Sequence, residues 1–396
     1  MVSDITLLGA TGYTGGLAAD YLGSHLPDGA TWSIAGRSRA KLEVAADRIE
    51  AAGGVRPELV EADVTDASSL RGVAEGTRVL VTTVGPYLKH GEPAVKAAAE
   101  AGIAYLDLTG EPQFVDDMWL KHHATAVASG ARLVHAAGFD SVPYDLGVLY
   151  TVQQLPDDVP ITVNAYLRAG ITPSGGTFHS AIGQFSSFRE SAKLAKKRRA
   201  SEERPADRKV RGTGRLGRAP HDTGWAVPLP TIDPQVVLRS ARALPTYGPE
   251  FTYGHFAHVR TTRMLAAGAV GVGALAVTAQ VPPLRKLLLS RMDPGDGPEQ
   301  AQREKAWFKL DLLAQAGGDT LHTRVTGKDP GYGGTAKYLG EAAMSLAFDD
   351  LPDVSGQTTT AVAMGQALID RLNPEAMKFQ TCEEHRAGPD HHRGAV

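Results

Sequence analysis

The sequence contains one cysteine, Cys382, among 396 residues, which excludes an intrachain disulfide and any cysteine-rich zinc or iron–sulfur site. It also lacks an excess of positive charge, since 41 Lys and Arg stand against 44 Asp and Glu, a formal charge of −3. We therefore expect no nucleic-acid partner. The N-terminus has neither the basic start nor the apolar core of a signal peptide, so we expect a cytoplasmic protein, with peripheral membrane contact left open.

Several catalytic signatures are absent as well. No Tyr is followed by Lys four positions later, so the Tyr–Lys pair of short-chain dehydrogenases is missing. The Walker A and G-x-S-x-G patterns of phosphoryl transfer and serine hydrolysis are missing too. Histidines occur at His122-His123 and at His255-x-x-His258, and these spacings match no zinc motif. We expect solvated surface histidines and no metal.

Short β-rich runs alternate with Ala-rich helical stretches between residues 5 and 140. This alternation predicts an α/β domain, a doubly wound parallel sheet with helices on both faces. The predicted strands are Ile5–Leu8, Thr31–Ala35, Leu59–Asp63, Val79–Val84, Tyr105–Leu108 and Leu133–Ala136.

From about Ile161 the pattern changes to isolated strands, Ile161–Leu167 and Val236–Ser240, separated by Gly and Pro. This pattern predicts a second, α+β domain. Residues 189–218, the basic segment, hold twelve Lys or Arg against four acids, a local charge of +8. The first interpretation is a solvated, partly disordered loop, and the second is a surface for an acidic carrier protein, a CoA-type phosphate or anionic lipid.

Residues 264–284, the uncharged segment, contain no charged side chain over 21 positions. The length reaches the threshold for a membrane helix. Because the segment is rich in Gly and Ala, a buried or interfacial helix is favoured over a spanning one.

A glycine-rich turn directly follows the first predicted strand and opens a predicted helix. Its spacing is G-x-x-G-x-x-G, and it comprises Gly9, Ala10, Thr11, Gly12, Tyr13, Thr14 and Gly15. Such a turn brings backbone N–H groups and the positive end of a helix to a pyrophosphate, and a Cβ atom at the glycines would block that approach. The turn therefore predicts dinucleotide binding, the alternative being a packing turn.

The end of the second predicted strand indicates which dinucleotide binds. An Asp or Glu there would hold free ribose hydroxyls, but the sequence has Arg37 and Ser38. Because a guanidinium can fork onto a 2′-phosphate, we expect NADP(H) as the cofactor. We place the adenine near Asp63 and Val64 and the nicotinamide near the next strand end, at Thr83, Gly85 and Pro86.

Five blocks occur in one order: Gly9 to Gly15, Gly36-Arg37, residues 84–87, residues 105–111 and residues 135–143. Together they resemble the saccharopine dehydrogenase-like oxidoreductases, and specifically their trans-acting enoyl reductase branch. The most specific match is Gly138-Phe139-Asp140-Ser141-Val142-Pro143, with weaker agreement at Ser174-Gly175-Gly176-Thr177.

The resemblance implies three parts. These are an NADP-binding Rossmann domain over residues 1–150, a substrate and dimerisation domain with a mixed sheet over 151–340, and C-terminal helices over 341–396 that return to the first domain and end in a flexible tail. It also implies reduction of a carbon–carbon double bond in a small-molecule or carrier-bound polyketide or lipid acyl chain, and a homodimer. Two alternatives stay open, an imine or amino-acid oxidoreductase and a lipid-associated NADPH-binding protein without turnover.

Three side chains are candidate catalytic groups. Tyr87 follows the strand end where nicotinamide is expected, and His135 and Asp140 follow another strand on the same edge of the sheet. For Asp140, as for the neighbouring Ser141, capping the next helix is the alternative role.

Overall fold

The structure is a computed structural model that describes residues 2–170, 188–220, 223–281 and 298–386. Its strands are β1 (Ser3–Leu8), β2 (Trp32–Gly36), β3 (Glu58–Glu61), β4 (Thr77–Thr82), β5 (Ala104–Asp107), β6 (Arg132–Val134), β7 (Ile161–Gly170), β8 (Lys209–Thr213), β9 (Gly217–Arg218), β10 (Trp225–Pro228), β11 (Glu250–Val259), β12 (Trp307–Ala316), β13 (Asp319–Lys328), β14 (Gly356–Thr358) and β15 (Met377–His385).

The helices are α1 (Tyr13–His25), α2 (Arg39–Ala51), α3 (Ala67–Glu75), α4 (Tyr87–His90), α5 (Glu92–Ala101), α6 (Pro112–Ser129), α7 (Val142–Val152), α8 (Phe188–Ser201), α9 (Asp233–Ala243), α10 (Thr262–Gln280), α11 (Gln300–Arg303), α12 (Gly333–Phe348), α13 (Thr360–Ala363) and α14 (Gly365–Leu372). A 3₁₀ turn, Pro245–Tyr247, follows α9.

The first sheet has the strand order β14-β6-β5-β4-β1-β2-β3, and every pairing in it is parallel. The six strands predicted from the sequence are β1 to β6, which confirms the doubly wound α/β prediction. Their apolar runs are continuous because helices cover both faces of the sheet. Ile5, Leu7, Ile34 and Val81, for example, are completely buried.

The helical periodicities are also confirmed. Helix α2 buries Leu42, Ala45, Ala46 and Ile49, the four residues whose spacing predicts its inner face. Helix α5 ends at Gly102, which adopts a left-handed conformation with φ of +72° and so terminates the helix as expected.

The second sheet is mixed, with the order β15-β13-β12-β7-β11-β10-β9, and β8 also pairs with β11. This mixed sheet with its helices confirms the predicted α+β character of the second half of the chain, but the prediction of a strand at Val236–Ser240 is wrong. These residues lie in α9, which buries Val236, Val237, Ser240 and Ala241. A spacing of one, then three, then one residue matches one face of a helix, and this tertiary packing outweighs the β-propensity of the two valines.

Two helices cross between the sheets. Helix α7 follows β6 of the first sheet but packs on β12 and β13 of the second, whereas α12 follows the second sheet and packs on α1, β4 and β5. Strand β14 joins the first sheet and β15 joins the second. The boundaries at residues 150 and 340 stay predictions. Residues 174–177, which carry part of the resemblance, and residues 387–396 of the expected tail lie outside the described residues.

The basic segment is not the loop expected from its charge. Residues 188–201 form α8, which packs against α6. The reason is a buried ion pair: Arg198 is 4% exposed and donates from Nε to Asp116 Oδ1 at 2.6 Å, while its Nη1 binds Glu202. Part of the +8 charge is therefore neutralised inside the protein.

The uncharged segment is largely α10, and the helix lies on the surface. Met264, Val270 and Val277 are 57, 73 and 65% exposed, so this helix is not part of the core of the chain. Residues 282–284 of the segment lie outside the described residues. Within the described ranges, no helix is both long enough and apolar enough to cross a membrane.

Candidate functional site

The glycine-rich turn connects β1 to α1, and two of its glycines are required by packing. Gly9 has φ of +97°, and a Cβ there would lie 2.7 Å from Thr83 Oγ1. A Cβ on Gly15 would overlap the Gly9 carbonyl oxygen. These two positions need glycine whether or not a ligand binds.

Gly12 differs from its neighbours in the turn. It is the N-cap of α1 with φ of −82°, a value that any residue adopts, and the atom nearest to a Cβ at this position would be the Gly9 carbonyl oxygen, at 3.5 Å. The fold therefore does not require glycine at this position. Because the first N–H groups of a helix lack acceptors within the helix, the open space at Gly12 suits a pyrophosphate.

The other residues of the turn are placed differently. Ala10 is buried, Thr11 is exposed, and Tyr13 and Thr14 are half-buried. The Tyr13 hydroxyl donates to the carbonyl of Pro298 at 2.7 Å. Tyr13 is thus already engaged with the second half of the chain.

Arg37 is exposed directly after β2, where a ribose 2′-phosphate is expected. It lies near Asp63: hydrogen bonds from Thr65 lower the pKa of the Asp63 carboxyl, and the charge of Arg37 adds to that effect. Ser38 is the N-cap of α2, since its hydroxyl accepts from the Lys41 N–H at 3.4 Å. Val64 is half-buried beside Asp63. Contacts of these residues with the cofactor stay predictions.

The loop after β4 is tied to the glycine-rich turn. Thr83 Oγ1 donates to the Gly9 carbonyl at 3.3 Å, and Gly85 and Pro86 lead into the short helix α4. Because this loop and the turn share an edge of the parallel sheet, they form adjacent walls of one cleft.

The structure does not favour Tyr87 as a proton donor. Its hydroxyl donates to the Thr82 carbonyl at 3.1 Å and accepts from the Leu108 N–H at 3.2 Å, so both of its hydrogen-bonding roles are filled. Burial raises its pKa well above the usual value. Tyr87 joins the ends of β4 and β5, which is a structural role.

His135 belongs to a buried network around Asp107. Its Nδ1 contacts Asp107 Oδ2 at 2.6 Å, and Oδ1 of the same carboxylate accepts from the Ala136 and Thr109 N–H groups. His135 Nε2 is buried without a partner in the described part of the chain. The ring packs edge-on against Tyr105 at 5.6 Å between centroids, so the network holds the loop after β6 in place.

Asp140 lies in the loop between β6 and α7. The residue is exposed to solvent, yet the protein around it raises the pKa of its carboxyl to about 6. The carboxyl therefore lies at the surface, close enough to protein atoms that its charged form is poorly solvated. Its Oδ2 would lie 2.7 Å from a Cβ on Gly110, so that glycine leaves room for the carboxyl. Ser141, the N-cap of α7, makes no capping hydrogen bond with its side chain.

Asp233 is a second acidic residue near Asp140, and it is not among the site residues predicted from the sequence. Asp233, at the start of α9, is 3% exposed, and its Oδ2 lies 3.6 Å from Nε2 of His255 on β11. The expectation of a surface histidine at 255 is therefore wrong, and His122, 8% exposed, is buried as well. The alternation of Phe251, Tyr253 and His255 along one face of β11 was the available signal.

The comparison with protein families decides what kind of dinucleotide fold this is. Residues 5–134 match the family model described as the saccharopine dehydrogenase NADP binding domain. A Mycobacterium tuberculosis protein named as a putative trans-acting enoyl reductase is 34% identical, over 96% of this chain and 97% of the relative. The chain belongs to the saccharopine dehydrogenase-like family. It is an NADP-dependent oxidoreductase, as the sequence predicts.

Other relatives of this oxidoreductase carry two kinds of name. A trans-acting enoyl reductase of Mycobacterium ulcerans is 32% identical, over 93% of this chain and 95% of the relative. A human saccharopine dehydrogenase-like oxidoreductase is 29% identical, over 95% of this chain and 96% of the relative. Both alignments run through both sheets.

Among solved structures, the oxidoreductase is similar to apo saccharopine dehydrogenase (L-Glu forming) from Saccharomyces cerevisiae. The TM-score is 0.54 with 14% sequence identity, covering 96% of this chain and all of the other. This similarity confirms the fold of a parallel nucleotide-binding sheet followed by a second, mixed sheet.

Proposed function

We propose that this oxidoreductase is a trans-acting enoyl reductase, which uses NADPH to reduce a carbon–carbon double bond in a polyketide or lipid acyl thioester. The observation that carries the proposal is the exposed carboxyl of Asp140, in the loop after β6 at the ligand-binding edge of the sheet. With a pKa of about 6 it is mostly a carboxylate at pH 7, so it would repel a substrate with carboxylates of its own, such as an amino acid. An acyl thioester has no charge near its double bond.

The residues around the turn fit NADPH. The open position at Gly12 and the first N–H groups of α1 would take the pyrophosphate, and the exposed Arg37 guanidinium would take the 2′-phosphate. When bound, NADPH supplies a hydride for the β-carbon of the acyl chain. The protein then has to supply a proton for the α-carbon of the substrate.

Asp140 is the group best suited to give that proton. With a pKa of about 6, about a tenth of its carboxyls are protonated at pH 7, and these can act as a general acid in the cleft. His135 Nδ1 lies 2.6 Å from Asp107 Oδ2 and the ring packs against Tyr105, so its role is to hold the loop that carries Asp140. The names of the mycobacterial relatives also support an enoyl substrate.

The test is a product analysis with purified protein, NADPH and matched enoyl thioesters, keto thioesters and imines. We expect NADPH oxidation with the enoyl thioesters and a saturated product in equal amount. Turnover restricted to imines or amino acids would contradict the proposal and favour the amino-acid alternative. NADPH binding without turnover on any substrate would favour a binding protein.

A second proposal concerns the surface at which the protein binds its acyl substrate. Helix α10 exposes apolar side chains almost all round, and Arg260 and Arg263 are exposed at its start. An apolar helix beside cationic side chains suits the surface of an anionic membrane. We propose peripheral membrane contact through α10, with a homodimer through the same helix as the alternative.

Co-sedimentation with anionic vesicles tests this contact. Replacing Val270 and Val277 by Asp should abolish sedimentation, whereas the same change at Val44, an exposed valine on α2, should not. Raising the salt from 0.1 to 1 M should weaken binding, because the Debye length falls from about 10 to about 3 Å. Sedimentation unchanged by the α10 variants, or a loss of dimer mass instead, would contradict membrane contact.

A further inference from the structure

Thr335, in the first turn of α12, contacts the loop that carries Asp140 with both branches of its side chain. Its hydroxyl oxygen accepts a hydrogen bond from the Phe139 N–H at 3.1 Å. Its methyl carbon lies against Gly138, where a Cβ would be 3.1 Å from Thr335 Cγ2. Gly138 and Phe139 directly precede Asp140, so Thr335 contacts the loop next to the acid.

The hydroxyl of Thr335 is also held from its other side. It donates to the carbonyl oxygen of Pro330 at 2.8 Å, and Thr335 is 8% exposed. Because a hydroxyl has a single proton, the bond to Pro330 leaves its lone pairs to accept from the Phe139 N–H. Each of these two hydrogen bonds polarises the other. The side chain thus joins the Asp140 loop to the turn that precedes α12.

That turn, residues 329–332, is fixed by its own contacts. Asp329 adopts a left-handed conformation with φ of +43°. Its Oδ2 accepts from the Gly333 N–H at 2.8 Å and from Arg303 Nη1 at 3.3 Å. Because Asp329 is bonded to the start of α12, the carbonyl of the next residue, Pro330, is held at a defined position.

The same turn packs against the glycine-rich turn. The ring of Tyr332 lies edge-on to the ring of Tyr13, with 5.0 Å between the centroids. Tyr13 is the first residue of α1 and follows Gly12, where we expect the pyrophosphate. Residues 329–335 therefore contact both the cofactor side and the acid side of the site.

We propose that Thr335 is a positioning residue for the reduction, which fixes the Asp140 loop relative to the glycine-rich turn. The inference rests on the proposed function, because Asp140 is the acid whose position Thr335 sets. Thr335 itself transfers no proton, and it acts through the Phe139 N–H. A displacement of about 1 Å at a reacting group can lower a rate about a hundredfold, so one hydrogen bond beside the acid is enough to affect turnover.

Two substitutions at Thr335 separate the effect of its hydroxyl from that of its shape. Thr335→Val keeps the shape of the side chain but offers no acceptor to the Phe139 N–H and no donor to the Pro330 carbonyl. Thr335→Ser keeps both hydrogen bonds and loses only the methyl group. Thr335→Ala replaces Thr335→Val in every comparison below should the valine variant not fold.

Thr151 on α7 provides the control for the loss of a buried threonine hydroxyl. Thr151 is completely buried, and its Oγ1 donates to the Gly147 carbonyl at 2.7 Å and lies 2.6 Å from Thr323 Oγ1. It lies about 13 Å along the helix from the start of α7, where the Asp140 loop ends. Thermal melts of Thr335→Val and Thr151→Val measure how much each hydroxyl contributes to stability.

Kinetics tests the positioning. With an enoyl thioester, Thr335→Val should lower kcat about tenfold and leave Kd for NADPH unchanged, whereas Thr335→Ser and Thr151→Val should keep the wild-type kcat. A wild-type kcat in Thr335→Val together with low activity in Asp140→Asn would overturn this inference alone. Wild-type activity in Asp140→Asn would overturn the proposed role of Asp140, and the inference with it. An equal loss of kcat in Thr335→Val and Thr151→Val would show an effect of stability only, which also contradicts the inference.

Carbon-13 NMR tests the position of the loop without turnover. In protein labelled at the carboxyl carbons of aspartate, the Asp140 resonance is the one missing from Asp140→Asn. We expect it to report a pKa of about 6 in the wild type and in Thr335→Ser. In Thr335→Val the pKa should move toward its ordinary value of about 4, because a displaced loop admits water to the carboxyl. An equal pKa in the wild type and in Thr335→Val would overturn the inference, whether or not any substrate turns over.

Discussion

Four aspartates lie in two kinds of region, which differ in how many hydrogen bonds they offer to the carboxyl group. Asp145, completely buried, accepts from Ser240 Oγ at 2.5 Å, from Thr360 Oγ1 at 2.7 Å and from the Ala361 N–H at 2.8 Å. Asp107 is satisfied in the same way by its neighbours. Asp140 and Asp233 are instead desolvated and have few hydrogen-bond partners. The first two carboxyls hold elements together through their hydrogen bonds, whereas the other two lack such a set of bonds.

The glycine-rich turn shows the same division. At Gly9 and Gly15, neighbouring atoms occupy the space that a side chain would need. Of the three glycines in the turn, only Gly12 has free space there. A group that the fold has already satisfied cannot change partners without loss of stability, whereas a group left open can meet a ligand. The comparison therefore separates residues that build the site from residues that work in it, and mutation can test each assignment.

The largest effect is expected at Asp145. Asp145→Ala leaves the donors on Ser240, Thr360 and Ala361 without their buried acceptor, so the free energy of unfolding should fall by about 3–5 kcal/mol. Denaturant unfolding followed by circular dichroism measures this loss. A loss below about 1 kcal/mol would show that Asp145 is not a structural hub, and would remove one half of the comparison.

The cofactor turn should respond at Gly12 without loss of fold. Gly12→Val places a branched side chain where the pyrophosphate is expected, so NADPH affinity should fall at least a hundredfold, about 2.7 kcal/mol. Calorimetric titration measures the affinity. Gly72→Val is the matched control, since Gly72 on α3 has no heavy atom within 4 Å of its missing Cβ and Gly12 has only the Gly9 carbonyl oxygen, in ordinary contact at 3.5 Å. Wild-type affinity in Gly12→Val would make the turn a packing feature only.

Asp140→Asn should lower kcat/KM by about a hundredfold through loss of the acid, and unlike Asp145→Ala it should not lower stability. The pH dependence has a definite sign. Because desolvation by the surrounding protein raises the pKa of Asp140 to about 6, the active protonated form is lost above that pH, so wild-type kcat/KM should fall as pH rises through 6. A profile that is flat from pH 5 to 8 would remove Asp140 as the acid.

The stability effect of Asp140 has the same direction. A carboxyl whose folded pKa is raised contributes stability at low pH that is lost as pH rises through about 6. Asparagine does not titrate, so the difference in stability between Asp140→Asn and the wild type should shift in favour of the variant between about pH 4 and pH 6 and stay constant above about pH 7. Thermal melts across this range measure it.

The parts of the molecule that sequence reasoning reached are those with local signals. The strands of the first sheet are short apolar runs, and the turn from Gly9 to Gly15 lies within seven consecutive residues. The structural role of Tyr87 was not accessible in this way, because the backbone groups that satisfy its hydroxyl come from the ends of β4 and β5. Only the folded sheet brings those two strand ends together.

The acid cluster was inaccessible for a related reason. Asp140 lies in a specific motif, but Asp233 and His255 come from α9 and β11, far along the chain. The alternation along β11 could have indicated that His255 is buried, but no comparable pattern around Asp233 shows that its carboxyl is buried beside that imidazole. The error at Val236–Ser240 compounded this, since a strand there would not have presented Asp233 at the start of a helix.

The smallest expected effect tests the open end of the nucleotide site, at Arg37. The guanidinium is exposed at the end of β2, so removing it should leave the fold unchanged. Arg37→Asp replaces a fork for the 2′-phosphate with a repelling charge, and the preference for NADPH over NADH should fall at least tenfold, about 1.4 kcal/mol. Fluorescence titrations with both cofactors measure the ratio, and Arg71→Asp, an equal change of charge on an exposed face of α3, controls for the general field of the protein. Because Asp63 lies near Arg37, part of the guanidinium's charge is already balanced, which is why we expect about one power of ten and not several. An unchanged NADPH-to-NADH ratio in Arg37→Asp would mean that other residues bind the 2′-phosphate and that Arg37 is only a solvated surface residue.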